Sequence, residues 1–125
     1  MLICYTNDMH SRVLSFKYAG EGFWAALKEE PNLKFHFSAA ILVTILGFLF
    51  NISREDWILI ILLCGLVISL ELTNTAIETV VDAFTDKEHP GAKLAKDISA
   101  AAVLTVSIAA FISGIIIFSQ YVKLP

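Results

Sequence analysis

Three long apolar stretches, separated by short polar segments, dominate the hydrophobic pattern of this chain. They cover about residues 35–52, 57–82 and 97–121. The second stretch carries no charge between Trp57 and Leu70, which alone is shorter than the ~20 residues that a transmembrane helix needs. We therefore expect its helix to continue past Glu71 to about residue 82. The pattern predicts three membrane-spanning helices.

A different pattern precedes the first span, at about residues 11–30. Apolar side chains recur there near the helical period, with charged side chains on the other faces; the apolar set is Val13, Phe16, Phe23 and Leu27. Tyr18 and Trp24 suit the depth of lipid headgroups, and residues 29–32 break the helix before the span. This segment is predicted to be an amphipathic helix on the membrane surface.

The composition places the chain among integral membrane proteins. Of the 125 residues, 57% are hydrophobic and 17% are charged, a balance well beyond that of a soluble domain. We expect an all-α protein whose residues 1–125 form a single membrane-embedded domain. Three spans enclose little interior, so the protein is expected to associate with copies of itself, and no nucleic-acid partner is expected.

The basic residues predict the orientation in the membrane. One side carries Arg12, Lys17, Lys28, Lys34, Lys87, Lys93 and Lys96, whereas the other carries Arg54 and Lys123. The positive-inside rule therefore places the N-terminus in the cytoplasm and the C-terminus outside, in a multi-pass protein of the bacterial cytoplasmic membrane. The first span follows too long a basic segment to resemble a cleavable signal peptide, and we expect it to be retained.

Four polar residues continue directly from the second apolar stretch at helical spacing: Glu71, Asn74, Glu78 and Asp82. Their spacing places them within a sector of about 80° on one helix face. Glu71 is expected at the edge of the hydrocarbon region, with Glu78 and Asp82 reaching into water. Because a carboxylate at that depth is costly, this stripe suggests a site where a water-soluble reagent meets a lipid substrate.

The segment that follows adds basic residues that could bind phosphate. Lys93, Lys96 and Asp97 precede the third span, at spacings of one helical turn. Phosphoryl transfer needs metal-binding carboxylates, a cation for the developing charge and a base near the acceptor hydroxyl. The sequence has no glycine-rich phosphate loop, so side chains and Mg²⁺ would have to hold the polyphosphate.

Two motifs identify a family resemblance. The sequences ELTNTAIETVVD at 71–82 and AKDISAAAVL at 95–104 closely resemble the prokaryotic diacylglycerol kinase family, which also contains undecaprenol kinases, and the resemblance covers about residues 12–120. It implies a homotrimer of three-span subunits, each with an amphipathic surface helix. It also implies transfer of the γ-phosphoryl group of MgATP to a lipid hydroxyl, at sites near subunit contacts.

The resemblance assigns a role to each matching position. Glu71 matches the catalytic base, Glu30 and Glu78 match the metal-binding pair, and Asn74 and Asp82 match supporting positions. The implied nucleotide contacts are Ser11, Arg12, Tyr18, Glu30, Glu78, Lys87, Glu88, His89, Lys96 and Asp97. Either Ser11 or Arg12 could be the residue that contacts the nucleotide. His89 could instead have a passive role in its loop, and Glu30 could be a solvated residue without a function.

The acceptor lipid is assigned from a shorter segment. Residues 30–36 resemble the E-x-N-x-[KR]-x-H pattern of the undecaprenol kinase branch, and residues 16–22 resemble the same branch. Undecaprenol is therefore the expected acceptor, giving undecaprenyl phosphate, with diacylglycerol as the alternative by the same mechanism.

Two other classes of protein fit the pattern less well than a kinase does. A small proton-coupled transporter would place its carboxylate near the middle of a span, whereas here the acidic residues gather at one end. A membrane scaffold would have no reason to align Glu71, Asn74 and Glu78 on one face. A lipid kinase accounts for both features.

Overall fold

The structure, a computed structural model, describes residues 9–85 and 89–122, with side chains from residue 12 onward. Within these ranges the chain forms four helices: α1 (Met9–Glu29), α2 (Pro31–Phe50), α3 (Arg54–Phe84) and α4 (Pro90–Ser119). The predicted all-α fold is confirmed. Three of the helices, α2, α3 and α4, are long and apolar enough to cross a membrane, which confirms the predicted number of candidate spans.

The length of α3 carries it beyond the membrane core. Its 31 residues extend for about 46 Å at ~1.5 Å per residue, against a hydrocarbon thickness of about 30 Å. The helix runs without a break from Arg54 through Glu71 to Phe84. One end of α3, which carries the polar stripe, can therefore project from the hydrocarbon while the rest spans it.

Helix α1 is joined to α2 by a single non-helical residue. Glu30 has an extended backbone, with φ of −95° and ψ of 112°, and Pro31 then begins α2. Pro31 suits this first position because a proline lacks the N–H group that would be unpaired there anyway. The ring of Phe23 packs against that of Phe37 at a centroid distance of 6.1 Å. On α1, Trp24 is exposed and lies 5.4 Å from the Lys28 ammonium group; the surface position of α1 stays a prediction.

A tight turn reverses the chain between α2 and α3. Asn51 adopts the left-handed conformation, with φ of 48°, and the N–H of Ile52 donates to the Gly47 carbonyl oxygen at 3.2 Å. A β-carbon built on Gly47 would lie 2.7 Å from the Trp57 ring. The two helices approach each other closely here because residue 47 has no side chain.

The same end of the molecule is tied to the end of α4. The Tyr121 hydroxyl donates to Asp56 Oδ2 at 2.6 Å and accepts from the Ser53 N–H at 2.9 Å. Beside it, Ile60 and Ile117 are buried against each other. These contacts hold α3 and α4 together at the end opposite the polar stripe.

Helices α3 and α4 make the most extensive contact in the described chain, and α2 packs against α3. Three valines of these two helices are buried, namely Val67 on α3 and Val103 and Val106 on α4. Many large apolar side chains on the outer faces stay exposed in the single chain, as expected for surfaces that contact lipid or another subunit. The packing brings the polar end of α3 beside the beginning of α4.

Candidate functional site

The polar stripe of α3 changes from buried to exposed along its length. Glu71 is only 2% exposed and Asn74 is 5% exposed. Glu78 is partly exposed, and the Asp82 side chain is 65% exposed. The stripe therefore joins the protein interior to the solvent at one end of the bundle.

Asn74 connects the stripe to α4. Its Oδ1 accepts a hydrogen bond from Ser99 Oγ at 2.6 Å, and its Nδ2 donates to Glu78 Oε1 at 3.2 Å. The orientation of the amide follows from its partners, since an ionised carboxylate can only accept and the hydroxyl can donate. Asn74 thus positions the Glu78 carboxylate and fixes α3 against α4.

Lys96 pairs with the outer carboxylate of the stripe. Its Nζ lies 2.9 Å from Asp82 Oδ1 and 3.1 Å from Asp82 Oδ2. Asp97, its neighbour in sequence, pairs instead with Lys93 one turn earlier on α4. A cleft of about 360 Å³ lies over these groups, lined in part by His89 and Thr85. Two cations and two carboxylates therefore face the same cleft.

His89 begins α4 as its N-terminal cap. Its Nδ1 accepts hydrogen bonds from the N–H groups of Gly91 at 3.1 Å and Ala92 at 3.4 Å. Capping accounts for the presence of a histidine at this position, because it satisfies backbone donors that the first turn leaves unpaired. The Nε2 atom takes no part in the cap and could still contact a ligand.

Three titratable side chains lie within electrostatic range of the buried Glu71, namely His36, Glu78 and Glu30. His36 lies on α2 and Glu30 lies at the junction of α1 and α2, so three segments of the chain meet around Glu71. The predicted base and the predicted metal-binding pair therefore lie in one region of the molecule, and their roles stay predictions.

A metal ion at the predicted site would need a nucleotide to complete its coordination. Within residues 9–85 and 89–122, no three His, Cys, Asp or Glu side chains are arranged to hold a metal ion. Mg²⁺ commonly takes one or two protein carboxylates and completes its coordination with phosphate oxygens and water. Glu30 and Glu78 could supply those carboxylates.

The remaining predicted nucleotide contacts are distributed over two segments. Arg12 and Tyr18 lie exposed on α1. Ser11 belongs to α1, but its side chain is outside the described part of the structure, and Lys87 and Glu88 lie outside the described residues altogether.

Sequence reasoning missed two residues of this site, Ser99 and His36. Ser99 lies inside the second motif, but a serine among alanines gives no spacing signal of its own. His36 follows Glu30 by six residues and appeared only as part of a branch pattern. The bond of Ser99 to Asn74 and the nearness of His36 to Glu71 arise between helices, which a pattern along one helix cannot reveal.

The fold and the site define a helical membrane protein with an acidic and basic site at one end of its bundle. Residues 17–118 match the family described as prokaryotic diacylglycerol kinase. The chain is 46% identical to the undecaprenol kinase of Bacillus subtilis over 91% of this chain and 93% of that protein. The diacylglycerol kinase of Synechocystis sp. is 37% identical over 82% of this chain and 59% of that protein. The diacylglycerol kinase of Pseudomonas aeruginosa is 34% identical over 78% of this chain and 84% of that protein.

The chain belongs to the prokaryotic diacylglycerol kinase family. It is a membrane-embedded lipid kinase that uses ATP, as predicted from the two motifs.

Proposed function

We propose that this protein transfers the γ-phosphoryl group of MgATP to the hydroxyl group of undecaprenol, giving undecaprenyl phosphate and ADP. The reaction type is inferred from the stripe of polar residues that runs from the buried Glu71 to the exposed Asp82. Asp82 pairs with Lys96 on α4. The acceptor is supported by the similarity to the Bacillus subtilis undecaprenol kinase and by the segment from Glu30 to His36.

Glu71 is the proposed general base. It lies about 10 Å, or two helical turns, from Glu78 along α3. Of the two residues, Glu71 is the one nearer to the apolar stretch of the helix. A lipid hydroxyl at the edge of the hydrocarbon region can reach this depth, while the charged nucleotide stays nearer to solvent. The Glu71 carboxylate would accept the hydroxyl proton as the oxygen attacks the γ-phosphorus.

Glu30 and Glu78 are the proposed ligands of the nucleotide-bound Mg²⁺. The ion would neutralise charge on the phosphate oxygens during transfer. Asn74 supports this role because its amide holds one oxygen of Glu78 and leaves the other available.

Lys96 is the proposed phosphate-binding cation. Asp82 holds its ammonium group at the edge of the cleft beside Lys93. A triphosphate carries more negative charge than one carboxylate, so Lys96 can exchange part of its interaction with Asp82 for one with the nucleotide. The other proposed nucleotide contacts are Ser11, Arg12, Tyr18, Lys87, Glu88, His89 and Asp97.

The proposed assembly is a homotrimer with its sites near subunit contacts. Residues 1–125 form one domain, with α1 on the cytoplasmic face of the bacterial cytoplasmic membrane and the C-terminus outside. The extensive exposed apolar surface of the single chain supports self-association.

Diacylglycerol is the second candidate acceptor, because several relatives are named diacylglycerol kinase. A competition assay separates the two: undecaprenol and diacylglycerol are offered together to the purified protein in one detergent with MgATP. We expect the higher kcat/KM with undecaprenol. A higher kcat/KM with diacylglycerol would reverse the proposed acceptor.

A further inference from the structure

The two members of the Lys96–Asp82 pair differ in exposure. The Lys96 side chain is 34% exposed, whereas the Asp82 side chain is 65% exposed. Both carboxylate oxygens of Asp82 lie within hydrogen-bond distance of Lys96 Nζ. Asp82 is therefore the side chain that can turn into solvent while the ammonium group of Lys96 keeps its place.

The helix that carries Asp82 does not favour a carboxylate at this position. Asp82 lies in the last turn of α3, two residues before Phe84, and no basic residue accompanies it in that turn. The last turn holds the negative end of the helix dipole, where a negative side chain is unfavourable. The ammonium group of Lys96 offsets this charge from α4. The stability of α3 alone therefore does not account for an aspartate here.

A phosphate group that binds Lys96 has to compete with Asp82. The carboxylate oxygens already lie 2.9 Å and 3.1 Å from the ammonium nitrogen. The other lysine that lines the cleft, Lys93, is paired with Asp97. These two lysines and two aspartates carry formal charges that cancel. A polyphosphate therefore meets cations that already have carboxylate partners.

We propose that Asp82 limits the affinity of the site for nucleotides by competing for Lys96, and that this competition speeds the departure of ADP. The proposal rests on the proposed function, because it needs Lys96 to bind the phosphates. While ATP is bound, the ammonium group contacts phosphate and the carboxylate turns toward solvent. When the γ-phosphoryl group has passed to the lipid, the ammonium group returns to Asp82 and ADP leaves.

The strength of the pair suits this role. Exposed ion pairs are weak, so a phosphate group can displace the carboxylate of Asp82. The same weak interaction still lowers the affinity for a nucleotide severalfold, because it is lost whenever the nucleotide binds Lys96. Binding substrate and product more tightly would not raise kcat, and product release limits the turnover of many enzymes. A modest competitor beside Lys96 therefore favours turnover.

A positioning role for Asp82 predicts the opposite change in affinity. If the carboxylate only held Lys96 in place for the phosphates, its removal would loosen the lysine and weaken nucleotide binding. If the carboxylate competes with the phosphates, its removal strengthens nucleotide binding. The direction of the change in the Kd for ADP separates the two roles.

The experiment measures the Kd for ADP by calorimetry, with Mg²⁺ present and no lipid acceptor, on the purified protein in detergent. Asp82→Asn should lower this Kd by about threefold to fivefold. Asp82→Glu keeps the charge and should stay closer to the wild type. In a Lys96→Met protein, Asp82→Asn should change the Kd by less than about twofold, because the group that it competes for is gone.

Steady-state kinetics give a second readout on the same variants. Asp82→Asn should lower kcat and the KM for MgATP together, and a burst of lipid phosphate should precede the slower steady state. An unchanged or raised Kd for ADP in Asp82→Asn would overturn the proposal. An equal effect in the Lys96→Met protein would overturn it as well, since the effect would then not pass through Lys96. A wild-type protein that binds ADP but phosphorylates no lipid alcohol would instead refute the proposed function.

Discussion

Ser99 and Asn74 join α4 to α3 through a hydrogen bond of 2.6 Å between Ser99 Oγ and Asn74 Oδ1. Both residues are at least nine-tenths buried. The opposite side of the Asn74 amide holds Glu78, so the position of a proposed metal ligand depends on a serine of the neighbouring helix. Precise placement of such ligands governs transfer rates because catalysis here is mostly positioning and charge stabilisation.

Replacing Ser99 by alanine should therefore affect both stability and nucleotide use. The variant leaves Asn74 Oδ1 buried without its donor, which costs about 1–3 kcal/mol. A loosened Asn74 should also raise the KM for MgATP. Thermal unfolding in detergent and steady-state kinetics measure the two effects. Ser119→Ala is the control, since Ser119 is exposed and its hydroxyl donates to the Ile116 carbonyl oxygen of its own helix. Equal behaviour of the two variants would refute the role of Ser99.

The two lysines at the start of α4 should differ in importance. Lys96→Met removes the cation beside the stripe and should lower kcat/KM for MgATP by about 10²-fold, in the range of losing a group that stabilises transferring phosphate. Lys93→Met breaks an exposed pair with Asp97 and should change kcat/KM for MgATP by less than about threefold. Kinetics at saturating lipid measure both, and the reverse order of effects would assign the phosphate to Lys93.

Removal of the divalent ion should abolish transfer, and Glu78→Gln should raise the Mg²⁺ concentration needed for half-maximal rate. The reason is the preference of Mg²⁺ for charged carboxylate oxygens. Glu55→Gln changes an acidic residue at the opposite end of α3 and should leave the Mg²⁺ requirement unchanged. Full activity in excess chelator would contradict the metal assignment.

The close approach of α2 and α3 predicts a stability effect far from the site. Gly47→Ala forces the Trp57 ring to move, since a β-carbon would lie 2.7 Å from it, and should destabilise the protein by about 1–3 kcal/mol. Gly65→Ala meets open space and is the control. Thermal unfolding distinguishes them; equal midpoints would mean that the turn adapts without cost.

Periodicity along single helices accounts for what the sequence could predict. The uncharged stretch from Trp57 to Leu70 indicates a span, and the spacing from Glu71 to Asp82 indicates a polar face. The structure confirms a helix that continues through both. These features depend only on the rise and turn of one helix.

Contacts between helices account for what the sequence could not predict. Lys96 and Asp97 look like a local unit, yet Asp97 pairs with Lys93 one turn away and Lys96 reaches Asp82 on α3. His36 on α2 likewise lies within electrostatic range of Glu71 on α3. Such pairs depend on the crossing and rotation of the helices, which the pattern of a single helix leaves undetermined.

The central claim is that Glu71 removes the proton of the lipid hydroxyl, and Glu71→Gln tests it most directly. The substitution keeps the shape of the side chain and removes the base, in a variant whose assembly is compared with the wild type by size-exclusion chromatography. Single-turnover transfer to undecaprenol should slow by about 10²-fold or more, with MgATP affinity nearly unchanged. Transfer at the wild-type rate, or a loss of transfer that accompanies a loss of assembly, would show instead that Glu71 is a structural residue.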